Sequence, residues 1–339
     1  MPKVQSKTHF PFPLSSLFRC CLSKMFSPAN RPSKGILSLY GPRRRCGPQL
    51  LVISLNTWTR RAHYVALSSV SRRTVIMGAL FSRVHPPGIW DGLADATPGV
   101  RKVRSPVGRD ADAAADITTR SFAGTATCAP ELLLDWALGE ELKGKWDHPD
   151  RVKHVGWSMR LTTQAALRHG PRRAVFLATA PGADAPGAAC TVRFLPGKIS
   201  ASAEGWMYLW EILRRSGSPP FDAKNGMSRR MQAVEDAINA AHAAHASGPH
   251  VNVQLMAVAP EDQGKKLCSL LMRAVSAVAD EHGLPCYLET SGERNVQIYE
   301  RFGYEKVERV TVLDPKKKRD APAYDDFYAM VRPPARRDT

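Results

Sequence analysis

The first 90 of the 339 residues contain no aspartate or glutamate, against fourteen lysines and arginines. Beyond that point the remaining 34 basic residues face all 31 acidic ones, so the net charge of +17 belongs to an N-terminal extension. The rest of the chain is close to neutral. That distribution excludes an evenly basic nucleic-acid-binding domain. The extension carries no regularly interleaved aromatics and no RNA- or DNA-binding motif, so no specific nucleic-acid partner is expected. Long apolar runs are also missing. The longest in the extension, residues 50–55, is far too short to span a bilayer. The seven cysteines (Cys20, Cys21, Cys46, Cys128, Cys190, Cys268, Cys286) make an odd count without one C-x-x-C pair. A disulfide framework and a zinc site are therefore not indicated, and a reducing intracellular compartment is the default. No internal repeat is visible.

The extension, residues 1–85, is rich in Ser, Pro and Arg, the composition of an organelle transit peptide. A solvated disordered tail, or an upstream stretch missing from the mature protein, has the same composition. The expected location is organellar through this segment and otherwise cytoplasmic. Met77-Gly78-Ala79-Leu80-Phe81-Ser82 fits the N-myristoylation pattern if translation begins at Met77. Residues 86–110 read as a linker, with Pro86, Pro87, Gly88, Pro98, Gly99, Pro106 and Gly108 as breakers.

A domain is expected over residues 111–334, and 43% apolar content supports a sizeable core. Residues 112–122 read as a strand running into a helix, and 130–142 and 159–168 as helices. Residues 174–178 and 188–195 are β-prone runs either side of a Pro/Gly-rich hairpin connection. Residues 198–248 form a helical insertion with Trp206, Tyr208 and Trp210. His242 and His245 stand three residues apart there, a spacing that fits a solvated helix face better than a metal site without a third ligand. Residues 304–313 and 324–331 read as strands. Between them Pro315-Lys316-Lys317-Lys318-Arg319 reads as a nuclear-import run or a solvated loop charge.

Residues 250–304 are the most informative stretch. An apolar β-prone run at 251–258 passes into the turn Pro260-Glu261-Asp262-Gln263-Gly264-Lys265-Lys266. Leu267, Leu270, Leu271, Ala274, Val275 and Val278 then recur at the spacing of one buried helix face. A strand ending in a turn that opens a helix presents free backbone N–H groups and the positive end of the helix dipole, which suits a phosphate.

Gln263-Gly264-Lys265-Lys266-Leu267-Cys268 resembles the acyl-CoA pyrophosphate loop of the GNAT superfamily of N-acetyltransferases, Gln/Arg-x-x-Gly-x-Gly/Ala. The run from Leu284 to Thr290, then Asn295 to Tyr304 with its Tyr-Glu-x-Phe-Gly-Tyr ending, is similar to that superfamily's next strand and helix. Clear similarity spans about residues 250–312. Lys266 and Cys268 depart from the pattern, standing where the family has Gly and Gly/Ala. The resemblance implies an α/β (α+β) fold: a mixed, mostly antiparallel central sheet flanked by helices, with splayed fourth and fifth strands. It implies acetyl-CoA as co-substrate and a small-molecule or protein amine as acceptor. An opposing class is a non-catalytic acyl-CoA-binding or interaction module with an eroded loop.

The same resemblance assigns roles. The backbone of Met256, Ala257 and Val258 would pair with the pantetheine amides, and Gln263, Gly264, Lys265, Lys266, Leu267 and Cys268 would cradle the pyrophosphate. Asn295 matches a cofactor contact; from its position alone it is a helix N-cap. Tyr299 matches the general acid for the departing thiolate, and read alone is a packing aromatic. Glu289, ending the strand beside the acyl site, would relay the amine's proton through water. The insertion aromatics would either shape the acceptor pocket or pack onto the sheet.

Overall fold

The computed structural model describes residues 88–335, except 94–96, 127–131, 147, 170, 198–206, 218, 221–225 and 314–323. The targeting readings of the extension, the Met77 start, the basic run 315–319 and Trp206 lie outside the described residues. Chain contacts separate a unit of residues 28–89, of which only Gly88 and Ile89 are described, from the unit that holds Trp90 onward. The latter is the subject below. No described helix is long and apolar enough to cross a membrane.

Seven strands form one sheet in the order β1-β2-β3-β4-β5-β7-β6. They are β1 Val100–Lys102, β2 Arg173–Ala178, β3 Ala188–Leu195, β4 His250–Val258, β5 Cys286–Ser291, β6 Glu305–Arg309 and β7 Phe327–Arg332. Every neighbouring pair is antiparallel except β4 with β5. The sheet is thus mixed and mostly antiparallel, as expected. β2 and β3 are almost wholly buried, which is why they read as unbroken apolar runs instead of alternating ones.

Helices cover the two faces, among them α1 Arg109–Ala123, α2 Leu132–Leu138, α3 Pro149–Arg168, α4 Met227–His245, α5 Leu267–Glu281 and α6 Glu293–Glu300. On one face Ala111, Ala114 and Ile117 of α1 and Ala166 of α3 pack on Val175, Leu177, Ala189 and Ala257. Farther along that face, Leu133 of α2 and Val234 and Ala241 of α4 meet Tyr287, Phe327 and Ala329. Side chains of alternate residues, such as Phe176, Cys190 and Val253, point to the opposite face, where α5 and α6 lie.

Three expectations change. Residues 112–122 belong entirely to α1, whose apolar positions recur with helical spacing and whose Asp110 and Asp112 sit in the first turn, favourable to the dipole. The expected linker contains β1, which pairs with β2 in register Val100↔Ala178 to Lys102↔Phe176. The helix expected at 159–168 begins ten residues earlier, at Pro149, where the His148 ring nitrogen accepts the Asp150 N–H at 3.2 Å and proline occupies the first position.

Two arginines fasten the layers. Arg151 is fully buried; its guanidinium donates to Asp135 at 2.6 Å and to the carbonyls of Ala123 and Leu142, tying α3 to the end of α1 and to α2. Arg332 makes a two-pronged bond to Asp280 at 2.8 and 2.7 Å and donates to the Phe302 carbonyl. It thereby locks β7 to α5 and to the turn after α6. Such bidentate geometry makes the pairing directional.

His242 is not on a solvated face. It is 1% exposed, and its Nε2 meets Nε2 of His250 on β4 at 2.9 Å, while His250 Nδ1 meets the Gly248 carbonyl at 2.8 Å. The carbonyl can only accept, so His250 carries its proton on Nδ1 and its Nε2 is bare. His242 must then donate from Nε2. Burial, the His250 ring and Arg193 lower His242 to about 3. The fourth-strand histidine is lowered in the same way, by burial first.

Unfolding frees His242 to titrate near its ordinary value of 6.5. The unfolded chain then binds a proton that the folded chain refuses, so this contribution is complete above about pH 6.5 and is lost as pH falls towards 3. Denaturant titrations across that window should show stability falling by up to about 1.4 kcal/mol per pH unit from this residue. His242→Phe should have a shallower acid slope than the native chain, and equal slopes would refute the forced-neutral pair.

Candidate functional site

β4 carries one residue more than its partner at its centre. Thr191 pairs with Leu255 and Val192 with Val253, leaving Gln254 as a β-bulge. A bulge bends a strand and increases its twist. β4 stays with β3 along its whole length, whereas β5 stays with β7 from Cys286 to Ser291. Between them only Val251↔Cys286, Asn252↔Tyr287 and Val253↔Leu288 remain paired. From Leu255 to Val258 the β5 side of β4 is therefore open. This is the expected splay of the fourth and fifth strands.

The open edge leads directly to the start of α5. A 3₁₀ turn Pro260–Asp262 is followed by Gln263 in extended conformation, Gly264 at φ 82° and Lys266 at φ 64°, ψ 14° as the N-cap. Lys266 is the single non-glycine residue at positive φ among the described residues. A left-handed backbone suits glycine, and this chain meets it with a lysine, at a cost of about 1–2 kcal/mol. The helix start leaves the N–H groups of Leu267, Cys268 and Ser269 without intrahelical acceptors. Gly264, Lys265 and Lys266 are exposed beside them. Lys265 is held by Asp262 at 2.6 Å, and Arg120 of α1 holds Glu261 at 2.5 Å, its guanidinium keeping that carboxyl below the usual range. The turn is thus braced at its acidic end and open at its basic end.

The two expected catalytic residues stand on opposite faces of the sheet at the splay. Tyr299 on α6 lies half-buried on the face of Cys190, near Cys268, with its ring edge-on to Tyr304 at 6.0 Å. Burial first, and then these thiols, raise its phenol far above the ordinary value, so it keeps its proton at every working pH. Cys268 is likewise pushed up to about 11 by burial and stays a neutral thiol. Glu289 on β5 pairs with Ala329, under α4, and its Oε1 is buried with no partner among the described residues. Burial raises its carboxyl to about 7, against the opposing pull of Arg193 and Tyr287.

Asn295 is not an N-cap. Gly292 holds that position at φ 83°, and Asn295 sits three residues later, its amide donating to the Ser291 carbonyl at 2.9 Å. It closes the turn between β5 and α6. Sequence reasoning missed Gln254, whose amide nitrogen donates to the Tyr208 hydroxyl at 3.0 Å and joins the insertion to the bulge. It also missed Arg193 and Asn252, buried on the face of Glu289 and bonded at 2.7 Å. An isolated sequence offers no signal for a bulge position. Trp210, by contrast, is 46% exposed and stacked by Arg214, not packed onto the sheet.

Residues 232–306 match the model described as the acetyltransferase (GNAT) domain. The match is confined to this segment of the chain. Its matched segment runs from α4 to the start of β6 and takes in the bulge, the splay, the turn and Tyr299. Among solved structures it is similar to a histone acetyltransferase HPA2 and related acetyltransferase from Corynebacterium glutamicum. Identity there is 15%, coverage 72% of this chain and 99% of that one, and the TM-score 0.39. It is similar too to Naa20 of Chaetomium thermophilum in complex with a bisubstrate analogue (14%, 69% and 86%, TM-score 0.35). A third is the ribosomal-protein-S18-alanine N-acetyltransferase of Escherichia coli (12%, 71% and 96%, TM-score 0.32). No curated protein sequence matches.

The lysine N-cap of α5 is a local strain that glycine would relieve. Lys266→Gly should raise stability by about 1 kcal/mol in denaturant unfolding, whereas Lys266→Ala, which keeps a β-carbon, should not. Equal effects of the two changes would show that the backbone at 266 is unstrained.

Proposed function

We propose that the chain is an acetyl-CoA-dependent N-acetyltransferase acting on a primary amine of a small molecule or a protein. The observation that carries this reading is the open β4 edge, Leu255–Val258, running into the start of α5 with Tyr299 and Glu289 on either side. The site suits the co-substrate. An exposed strand edge offers amide partners to the pantetheine arm through Met256, Ala257 and Val258, in the manner of an added strand. The turn from Gln263 to Cys268 offers N–H groups and lysine charge to the pyrophosphate. Gly264 has open space where a side chain would stand, so nothing fills the cradle.

In the proposed reaction the amine nitrogen attacks the thioester carbonyl carbon. A C–N bond forms, the C–S bond breaks, and the acceptor leaves acetylated. A primary ammonium gives one proton to solvent before it attacks and a second as the C–N bond forms, and Glu289, titrating near neutrality, takes that second proton directly or through water. The departing sulfur needs one, and Tyr299 supplies it. A base and an acid on opposite sides of the splay let both transfers happen without crossing paths. Tyr299 then recovers its proton from solvent while Glu289 releases one, and the residues return to their starting states. The insertion, with Tyr208 bonded to the bulge residue Gln254, lies where an acceptor would approach the Glu289 face.

Release of CoA thiol from acetyl-CoA in the presence of amines, polyamines, amino acids and peptide N-termini tests the reading. Turnover with at least one primary amine is expected. Binding without turnover across the panel would leave the non-catalytic acyl-CoA module instead. With an acceptor in hand, Tyr299→Phe should lower kcat about 10²–10⁴-fold while calorimetric affinity for acetyl-CoA stays within about twofold. An unchanged kcat would remove Tyr299 from the chemistry.

A further inference from the structure

Behind Glu289 lies a cluster of buried polar groups that neither the fold nor cofactor binding calls for. Arg193 of β3, Asn252 of β4 and Tyr287 of β5 are register neighbours across three adjacent strands, so their side chains share one face. Arg193 is 7% exposed and Asn252 1%. The Arg193 Nε donates to Asn252 Oδ1 at 2.7 Å, and Asn252 Nδ2 donates to the Tyr287 carbonyl at 3.3 Å. Asn252 thereby links Arg193 on β3 to the backbone of β5. Glu289 stands two residues beyond Tyr287 on that same face and interacts with the Arg193 charge. His242 and His250 complete the cluster, fixed as neutral tautomers by the Gly248 carbonyl.

A buried cation costs several kcal/mol unless something compensates it, and packing alone would be served as well by an apolar side chain. The other groups facing the cluster carry no positive charge to offer Glu289. Glu235 of α4 opposes ionisation of Glu289; Tyr287 offers its carboxylate a hydroxyl; Glu308 of β6 acts on Tyr287; the histidines carry no charge at neutral pH. Arg193 is the cation of this set.

We propose that Arg193, locked by Asn252, is a positioning residue that keeps the Glu289 carboxylate charged at the moment the amine's proton must be taken. Without it, burial would leave Glu289 protonated at neutral pH and useless as a base. The neutral histidine pair belongs to the same arrangement. It places beside Arg193 a hydrogen-bonded pair that adds no competing positive charge. This inference rests on the acetyltransferase reading in which Glu289 acts as the base.

The test combines the pH profile of kcat/KM with a carbon-13 titration of the Glu289 side-chain carboxyl, assigned by its loss in Glu289→Gln. For Arg193→Met the carboxyl titration and the acid limb of the profile should both move up by at least about one pH unit. That lowers activity at pH 7 about tenfold and restores most of it by pH 9. Arg193→Lys should recover much of the shift. Asn252→Leu, which keeps the charge but frees it, should move both readouts in the same direction by less. It serves as the decisive variant if Arg193→Met does not fold. An unmoved carboxyl titration, or a loss equal at every pH, would overturn the proposal. If Glu289→Gln leaves the profile unaltered, the base assignment fails, and the carbon-13 titration alone then decides whether Arg193 sets the charge on that carboxyl.

Discussion

Everything functional in this domain depends on where β4 and β5 stop pairing. Two neighbouring strands in a sheet ordinarily satisfy each other's backbone to their ends. Here the Gln254 bulge turns β4 away after three paired residues, while β5 keeps faith with β7. The parting leaves polar backbone at Leu255–Val258 that a ligand's amides can satisfy. It also opens a slot whose two walls belong to opposite faces of the sheet. Tyr299 lies on the α5 and α6 side of it and Glu289 on the α4 side, so one distortion of the sheet stands between the proposed acid and the proposed base.

The environments of those two residues are set by burial more than by specific partners. Burial raises both, and it does opposite things for them. A phenol driven upward remains a proton donor, which a departing thiolate requires. A carboxylate driven upward approaches the range of a useful base but would overshoot into inertness if nothing opposed the desolvation. Arg193 supplies that opposition, across two strands and through an asparagine. The forced-neutral histidine pair behind it shows the same economy: groups that would carry charge in water are paired so that none is needed.

Much of this was legible in the residues. The α5 stripe from Leu267 to Val278, the strand runs at 174–178 and 188–195, and the glycine turn before Lys266 are local patterns, and local patterns survive in sequence. Tyr299 was expected on a helix and Glu289 on the strand before it, and they stand on α6 and β5. What failed depended on tertiary context. Residues 112–122 are alanine-rich and become helix because α1 packs flat on the sheet through small side chains. β1 is three residues long and exists only because β2 offers an edge. His242 reads as surface on its own helix and is buried by a strand that follows it by eight residues. Gln254 and Arg193 gain meaning only from register, which no single stretch encodes.

The central claim is that the unpaired edge of β4 is where acetyl-CoA binds, and backbone hydrogen exchange reads that edge directly. On addition of acetyl-CoA, the amides within Leu255–Val258 that face away from β3 and those of Leu267–Ser269 should gain protection, while Val251–Val253, already paired with β5, should exchange as before. Binding that leaves Leu255–Val258 unprotected, or protection spread evenly through the sheet, would contradict the account.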